Sequence, residues 1–113
     1  MSAHLINRLE AAVTTLSGNG ALKDRLCDAY ARHLDSIDLE ALPPPLRGEF
    51  ASLANTLHSA RALPGDSVVR ASVRKLSCEE AQRCAALIVR TFTQVAAGIA
   101  DDAQPALKIA SAG

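Results

Sequence analysis

The side chains suited to chemistry are few and far apart. Three histidines, His4, His33 and His58, and three cysteines, Cys27, Cys78 and Cys84, are the candidate ligands and nucleophiles. None of the histidines stands at metal-ligand spacing with another histidine, a cysteine or a carboxylate cluster, and there is no Cys-x-x-Cys pair. An odd number of cysteines without such a pair does not form a disulfide framework, so reduced thiols in a cytoplasm are expected. No Ser/His/Asp set, no paired catalytic carboxylates and no glycine-rich phosphate loop is legible. The sequence therefore points to no catalytic residue, no cofactor and no metal, and to a chain that is not an enzyme. Cys78 opens a predicted helix between Arg74-Lys75 and Glu79-Glu80, has no acid/base partner, and reads as an incidental cysteine.

His4 lies near a terminus and reads as solvated, and His33 reads as a half-buried helix residue. His58 has a sharper reading. In His58-Ser59-Ala60-Arg61-Ala62 a histidine is followed three residues on by a base and then by a small residue. This segment resembles the phosphoacceptor motif of histidine phosphotransfer domains, with Arg and Ala where that family has Lys and Gly. The resemblance implies a four-helix bundle with an exposed mid-helix His58 as phosphoacceptor and Arg61 holding phosphoryl oxygens.

The elements that position these residues follow from periodicity. Leu5, Ile6, Leu9, Ala12, Val13 and Leu16 form one helix face. Ser17-Gly18-Asn19-Gly20 ends that helix, with Gly18 expected as the left-handed cap and Asn19 as the N-cap of a second helix. The second stripe is Leu22, Leu26, Ala29, Tyr30, His33 or Leu34, and Ile37, on an antiparallel neighbour of the first. Asp38 to Leu42 predicts one short helical turn, stopped by Pro43-Pro44-Pro45. Pro45 suits the first position of a third helix, whose stripe is Leu46, Phe50, Leu53, Ala54, Leu57 and Ala60. Leu63-Pro64-Gly65-Asp66 ends it. Over Ser67 to Leu76, Val69, Ala71 and Val73 alternate with Arg70, Ser72 and Arg74 as in a strand, while Val69, Val73 and Leu76 also fit a helix face; of the two, an irregular or extended arm, ending in a helical turn, is expected. Ser77-Cys78-Glu79-Glu80 is a capping box. It opens a last helix to about Ala100 with Ala81, Cys84, Ile88, Phe92 or Thr91, Val95 and Ile99 inward.

The predicted fold is therefore all-α: a small four-helix bundle with a short helical turn and an irregular or extended arm before the last helix. One domain over residues 1–102 is expected, with a flexible tail over 103–113. The composition agrees. Apolar residues make up 49% of the chain but aromatics only 3%, so the core must be aliphatic. No apolar run is long enough to cross a membrane, and the amphipathic N-terminus with Glu10 inside it does not resemble a signal peptide.

Formal net charge is zero, which argues against a polybasic membrane binder and makes nucleic acid an unlikely partner. The charges are nevertheless uneven, with five basic and seven acidic residues before Leu57 and seven basic and five acidic from there on. Arg61, Arg70, Arg74, Lys75, Arg83 and Arg90 gather around the arm and the last helix, as a candidate docking surface for an acidic protein partner. Ala96-Ala97-Gly98 with Ala100 is a small-residue face suited to an intramolecular contact or a self-association seam.

The order Leu22, Arg25-Leu26, Asp28-Ala29-Tyr30, His33-Leu34, then Leu42-Pro43, Leu46-Arg47, Phe50, Leu53, Leu57, then Val73-Arg74-Lys75-Leu76-Ser77 and Glu80-Ala81 resembles small bacterial helical proteins of no known activity. That resemblance implies a bacterial, cytoplasmic protein and supplies no site. The expected function is a non-enzymatic protein-interaction, adaptor or regulatory module, self-associating or bound to a protein partner. The alternatives are a phosphotransfer domain using His58 and a small nucleic-acid-binding regulator acting through Arg70, Arg74 and Lys75.

Overall fold

A computed structural model describes residues 2–103, with side chains described from His4 to Gly98. The tail expected over 103–113 lies outside the described residues from 104 onward, as does the side chain of Ile99. All described secondary structure is helical. It comprises α1 (Ser2–Leu16), α2 (Leu22–Ala29) running on into a π-helical turn (Tyr30–Leu34), a 3-10 turn (Leu39–Ala41), α3 (Pro44–Leu57), α4 (Val68–Arg74) and α5 (Cys78–Ala103). Five α-helices replace the expected four, and none of the described helices is long and apolar enough to cross a membrane.

The core is the predicted aliphatic one. Leu5, Leu9, Ala12 and Leu16 of α1 are buried against Leu26, Ala29, Tyr30 and Leu34, with Phe50, Leu53 and Leu57 of α3 and Ala81, Ile88 and Val95 of α5 completing it. Each of these side chains removes apolar surface from water, at about 25 cal/mol per Å². Where the second stripe left His33 or Leu34 open, Leu34 is the buried residue. Likewise Thr91 is buried on α5 and Phe92 only half-buried; the Thr91 hydroxyl is satisfied by the Leu87 carbonyl at 2.7 Å.

The arm expected over Ser67–Leu76 is corrected: Val68–Arg74 is a helix. Two local facts cause it. Ser67 is an N-cap whose hydroxyl accepts the Arg70 amide at 3.0 Å. The alternation that resembled a strand arises because α4 lies between α2 and α3 and so buries residues on two sides, Val69, Val73 and Leu76 together with Ala71 and Ser72. A seven-residue helix has little stability of its own. The tertiary burial holds it.

Three boundaries also move. Gly20, at φ +102°, takes the left-handed conformation expected of Gly18, and Ala21 rather than Asn19 is the N-cap of α2. Arg25 of α2 reaches back to donate to the carbonyls of Gly20 and Leu16, so a side chain does the capping at the end of α1. Pro44 rather than Pro45 occupies the first position of α3. Finally, α3 stops at Leu57, not Leu63. The Ser59 hydroxyl donates to the Thr56 carbonyl at 2.7 Å, and the chain then turns inward so that the buried Ala60 amide donates to the Ser72 hydroxyl at 3.0 Å.

The capping box forms as predicted. The Ser77 amide donates to the Glu80 carboxylate at 2.8 Å and the Glu80 amide to the Ser77 hydroxyl at 3.1 Å. Ser77→Ala should cost about 0.5–2 kcal/mol of unfolding free energy in urea titrations. Ser72→Ala strands the Ala60 N–H in the core and should cost about 1–3 kcal/mol, whereas Ser59→Ala on the exposed surface should cost less than either.

Candidate functional site

The six basic residues singled out from sequence are all exposed, but they fall on three separate places. Arg61 lies in the segment between α3 and α4. Arg70 and Arg74 lie one turn apart on α4, with Lys75 at its C-cap. Arg83 and Arg90 lie two turns apart on α5, facing α3.

The segment before α4 is built by a turn. The Asp66 amide donates to the Leu63 carbonyl at 3.0 Å, and Gly65, at φ +84°, takes the position a Pro-Gly turn requires. Asp66 then accepts the Ser67 amide at 2.9 Å and pairs with the Arg74 guanidinium. The hydrogen bond from Arg74 holds the Asp66 carboxyl below the usual carboxylate range, with the Ser67 amide adding to the effect. Two large apolar side chains of this segment, Leu63 and Val68, are 72% and 37% exposed, between Arg61 and Arg70 in the chain. Among the described residues Arg61, Arg70, Lys75 and Arg83 form no ion pair, whereas Arg74 pairs with Asp66 and Arg90 with Glu49.

Arg83 and Arg90 belong to a different feature. α3 and α5 leave an open groove of about 500 Å³ between them. Leu53, Leu76, Leu87 and the half-buried Cys84 line it, and Glu49 of α3 and Glu80, Arg83 and Arg90 of α5 stand along it. Burial pushes the Cys84 thiol up, and the Glu80 carboxylate adds to this. Cys27 is buried and its thiol is likewise raised by burial, and Cys78 is exposed.

His58 does not sit mid-helix. It is the C-cap of α3, exposed, and its Nε2 lies 2.8 Å from Asp35 Oδ1 just past the π-helical turn. Its ring meets the Tyr30 ring edge-on, with centroids 5.7 Å apart. The contact is exposed, and its evident effect is to tie the end of α3 to the end of α2. His33 is also engaged, with Nε2 3.3 Å from the Thr15 hydroxyl and its carbonyl accepting from Arg8 at 2.8 Å. Among the described residues no group of three or more His, Cys, Asp or Glu side chains is placed to hold a metal ion.

Sequence reasoning missed Asp35, Glu49, Leu63 and Val68. Leu63 carried a usable signal, since a large apolar residue in a Pro-Gly turn has no core to enter. Asp35 carried none, because its partner lies 23 residues away.

No protein-family model, no curated protein and no solved structure matches the chain. Neither resemblance drawn from the sequence gains support from these comparisons.

The Tyr30 environment makes a direct prediction. Burial, and then the Asp35 carboxylate, pushes its phenol from about 10 up to about 12. Below pH 10 the folded and unfolded chains both keep the proton. Between pH 10 and 12 only the unfolded chain releases it, so stability falls with rising pH by roughly 2–3 kcal/mol across that window. Tyr30 is the sole tyrosine, so tyrosinate absorbance reads it without ambiguity. A folded-state midpoint near 12 is expected, and a midpoint near 10 would contradict the burial.

Proposed function

We propose that the chain is a non-enzymatic interaction or adaptor module, a small helical bundle of the bacterial cytoplasm, that binds an acidic segment of a protein partner on the surface formed by α4 and the turn before it. One observation carries this reading. Leu63 and Val68 are exposed between Arg61 and Arg70, and neither these arginines nor Lys75 is neutralised by an ion pair among the described residues. Exposed apolar side chains flanked by unpaired cations suit a partner that brings carboxylates and an apolar anchor together. Such a partner gains charge-assisted contacts from cations that hold no ion pair among the described residues, Arg70 feeling the Asp66 carboxylate only through space.

The two alternatives draw less support. For a nucleic-acid regulator, the cations are not interleaved with aromatic side chains. For a phosphotransfer domain, the His58 imidazole is engaged with Asp35 at the end of its helix.

A labelled Glu-rich peptide containing one Leu, titrated against the full chain by fluorescence anisotropy, tests the proposal. Binding is expected, weakening as salt rises. Arg70→Glu with Lys75→Glu should weaken it on the order of tenfold or more, and Leu63→Ser should weaken it without changing the salt dependence. A chain that ignores this peptide but binds duplex DNA with a steep salt slope would overturn the proposal in favour of the nucleic-acid alternative.

A further inference from the structure

We propose that the pocket between α1 and the segment 37–41 binds a free α-amino acid with an aliphatic side chain. The site shares no residue with the α4 face and adds a small-molecule ligand to the interaction-module reading.

The pocket holds about 230 Å³. Leu5 of α1 and Ile37 and Ala41 opposite it supply an apolar wall. Arg8 and Asp38 line the same pocket, and His4 stands one turn before Arg8 on α1. Leu5 is buried and Arg8, Ile37 and Ala41 are half-buried, whereas His4 and Asp38 are exposed. The apolar wall is therefore the enclosed part, and Asp38 belongs to the mouth.

Arg8 and Asp38 carry opposite charges, yet they do not pair with each other, and neither holds an ion pair among the described residues. Backbone contacts fix each of them instead. Arg8 Nε donates to the His33 carbonyl at 2.8 Å, and Asp38 Oδ1 accepts the Glu40 amide at 3.0 Å. Neither contact neutralises a charge, and each uses one side-chain atom. The two Nη groups of Arg8 and the Oδ2 of Asp38 have no hydrogen-bond partner among the described residues.

These free atoms define the ligand. The Nη groups of a guanidinium suit a carboxylate, and a carboxylate oxygen suits an ammonium. An anion alone would meet Asp38, and a cation alone would meet Arg8. An uncharged apolar molecule would strip water from both. A molecule bearing carboxylate, ammonium and an aliphatic branch answers all three features, and an α-amino acid carries them on one carbon. Drug-sized ligands fill roughly 300–1,000 Å³, so a pocket this size suits a smaller molecule such as leucine or valine.

Titration of the ¹⁵N-labelled full chain with L-leucine, followed by amide shifts, tests the proposal. Saturable shifts at Leu5, Arg8, Ile37 and Ala41 are expected, with Kd on the order of millimolar. Leucinamide lacks the carboxylate and 4-methylpentanoate lacks the ammonium, and each should bind on the order of tenfold more weakly or worse. Glycine, without the aliphatic branch, should be weaker than leucine as well.

Asp38→Asn keeps an acceptor for the Glu40 amide but removes the charge. It should weaken leucine and leave 4-methylpentanoate no weaker than before, a split that a loss of structure would not produce. Arg8→Gln, checked for folding by circular dichroism, should weaken both. The absence of saturable shifts at Leu5, Ile37 and Ala41 would overturn the proposal. So would leucine binding indifferent to Asp38→Asn, or 4-methylpentanoate binding as tightly as leucine.

Discussion

The burial of α4 is the constraint on which the rest of the arrangement depends. α3 packs chiefly on α4, on the 3-10 turn and on α5, and it meets α5 along an open groove. α4 also packs on α2, and α2 joins the α1–α5 part of the core. A helix of seven residues cannot hold this position by propensity. It does so because Val69, Val73 and Leu76 are buried and because the Ser72 hydroxyl accepts the Ala60 amide, fixing the chain that leaves α3. The His58–Asp35 contact adds a weaker, exposed tie between α3 and the end of α2.

The same burial decides what the surface shows. With Val69, Ala71, Ser72 and Val73 inward, the three remaining positions of α4, Val68, Arg70 and Arg74, must face water. Arg74 is drawn back to Asp66, which leaves Arg70, Lys75 and Arg61 without an ion pair among the described residues. Other arginines are occupied by the fold itself. Arg8, Arg25 and Arg47 donate to backbone carbonyls near helix ends and turns, where such groups lack intrahelical partners. Net charge therefore says little about which cations are available, and the hydrogen bonds say more.

Much of the fold was legible in the sequence. The stripes of α1, α2, α3 and α5 predicted the core residues because those helices bury one face each, which is what a period near 3.6 encodes. The capping box predicted the start of α5 because both of its bonds are local. What was not legible depended on contacts distant in the chain. The α4 segment is buried on two sides, so the helical spacing of Val69, Val73 and Leu76 is overlaid by the strand-like alternation that Ala71 completes, and the pattern alone does not choose between them. The early end of α3 depends on Ser72, twelve residues beyond Ala60. The scattering of the six basic residues over three places, and the pairing of Arg90 with Glu49, follow from how helices far apart in the chain pack together.

The most direct test is amide hydrogen exchange at Ala60, read by NMR together with the Cα shifts of 68–74. Ala60 belongs to no helix, yet its N–H is buried on the Ser72 hydroxyl. Pinning of α4 in this way predicts helical Cα shifts over 68–74 and an Ala60 amide protected like those of the core helices. An Ala60 amide that exchanges as fast as that of Gly65, with extended shifts over 68–74, would contradict it.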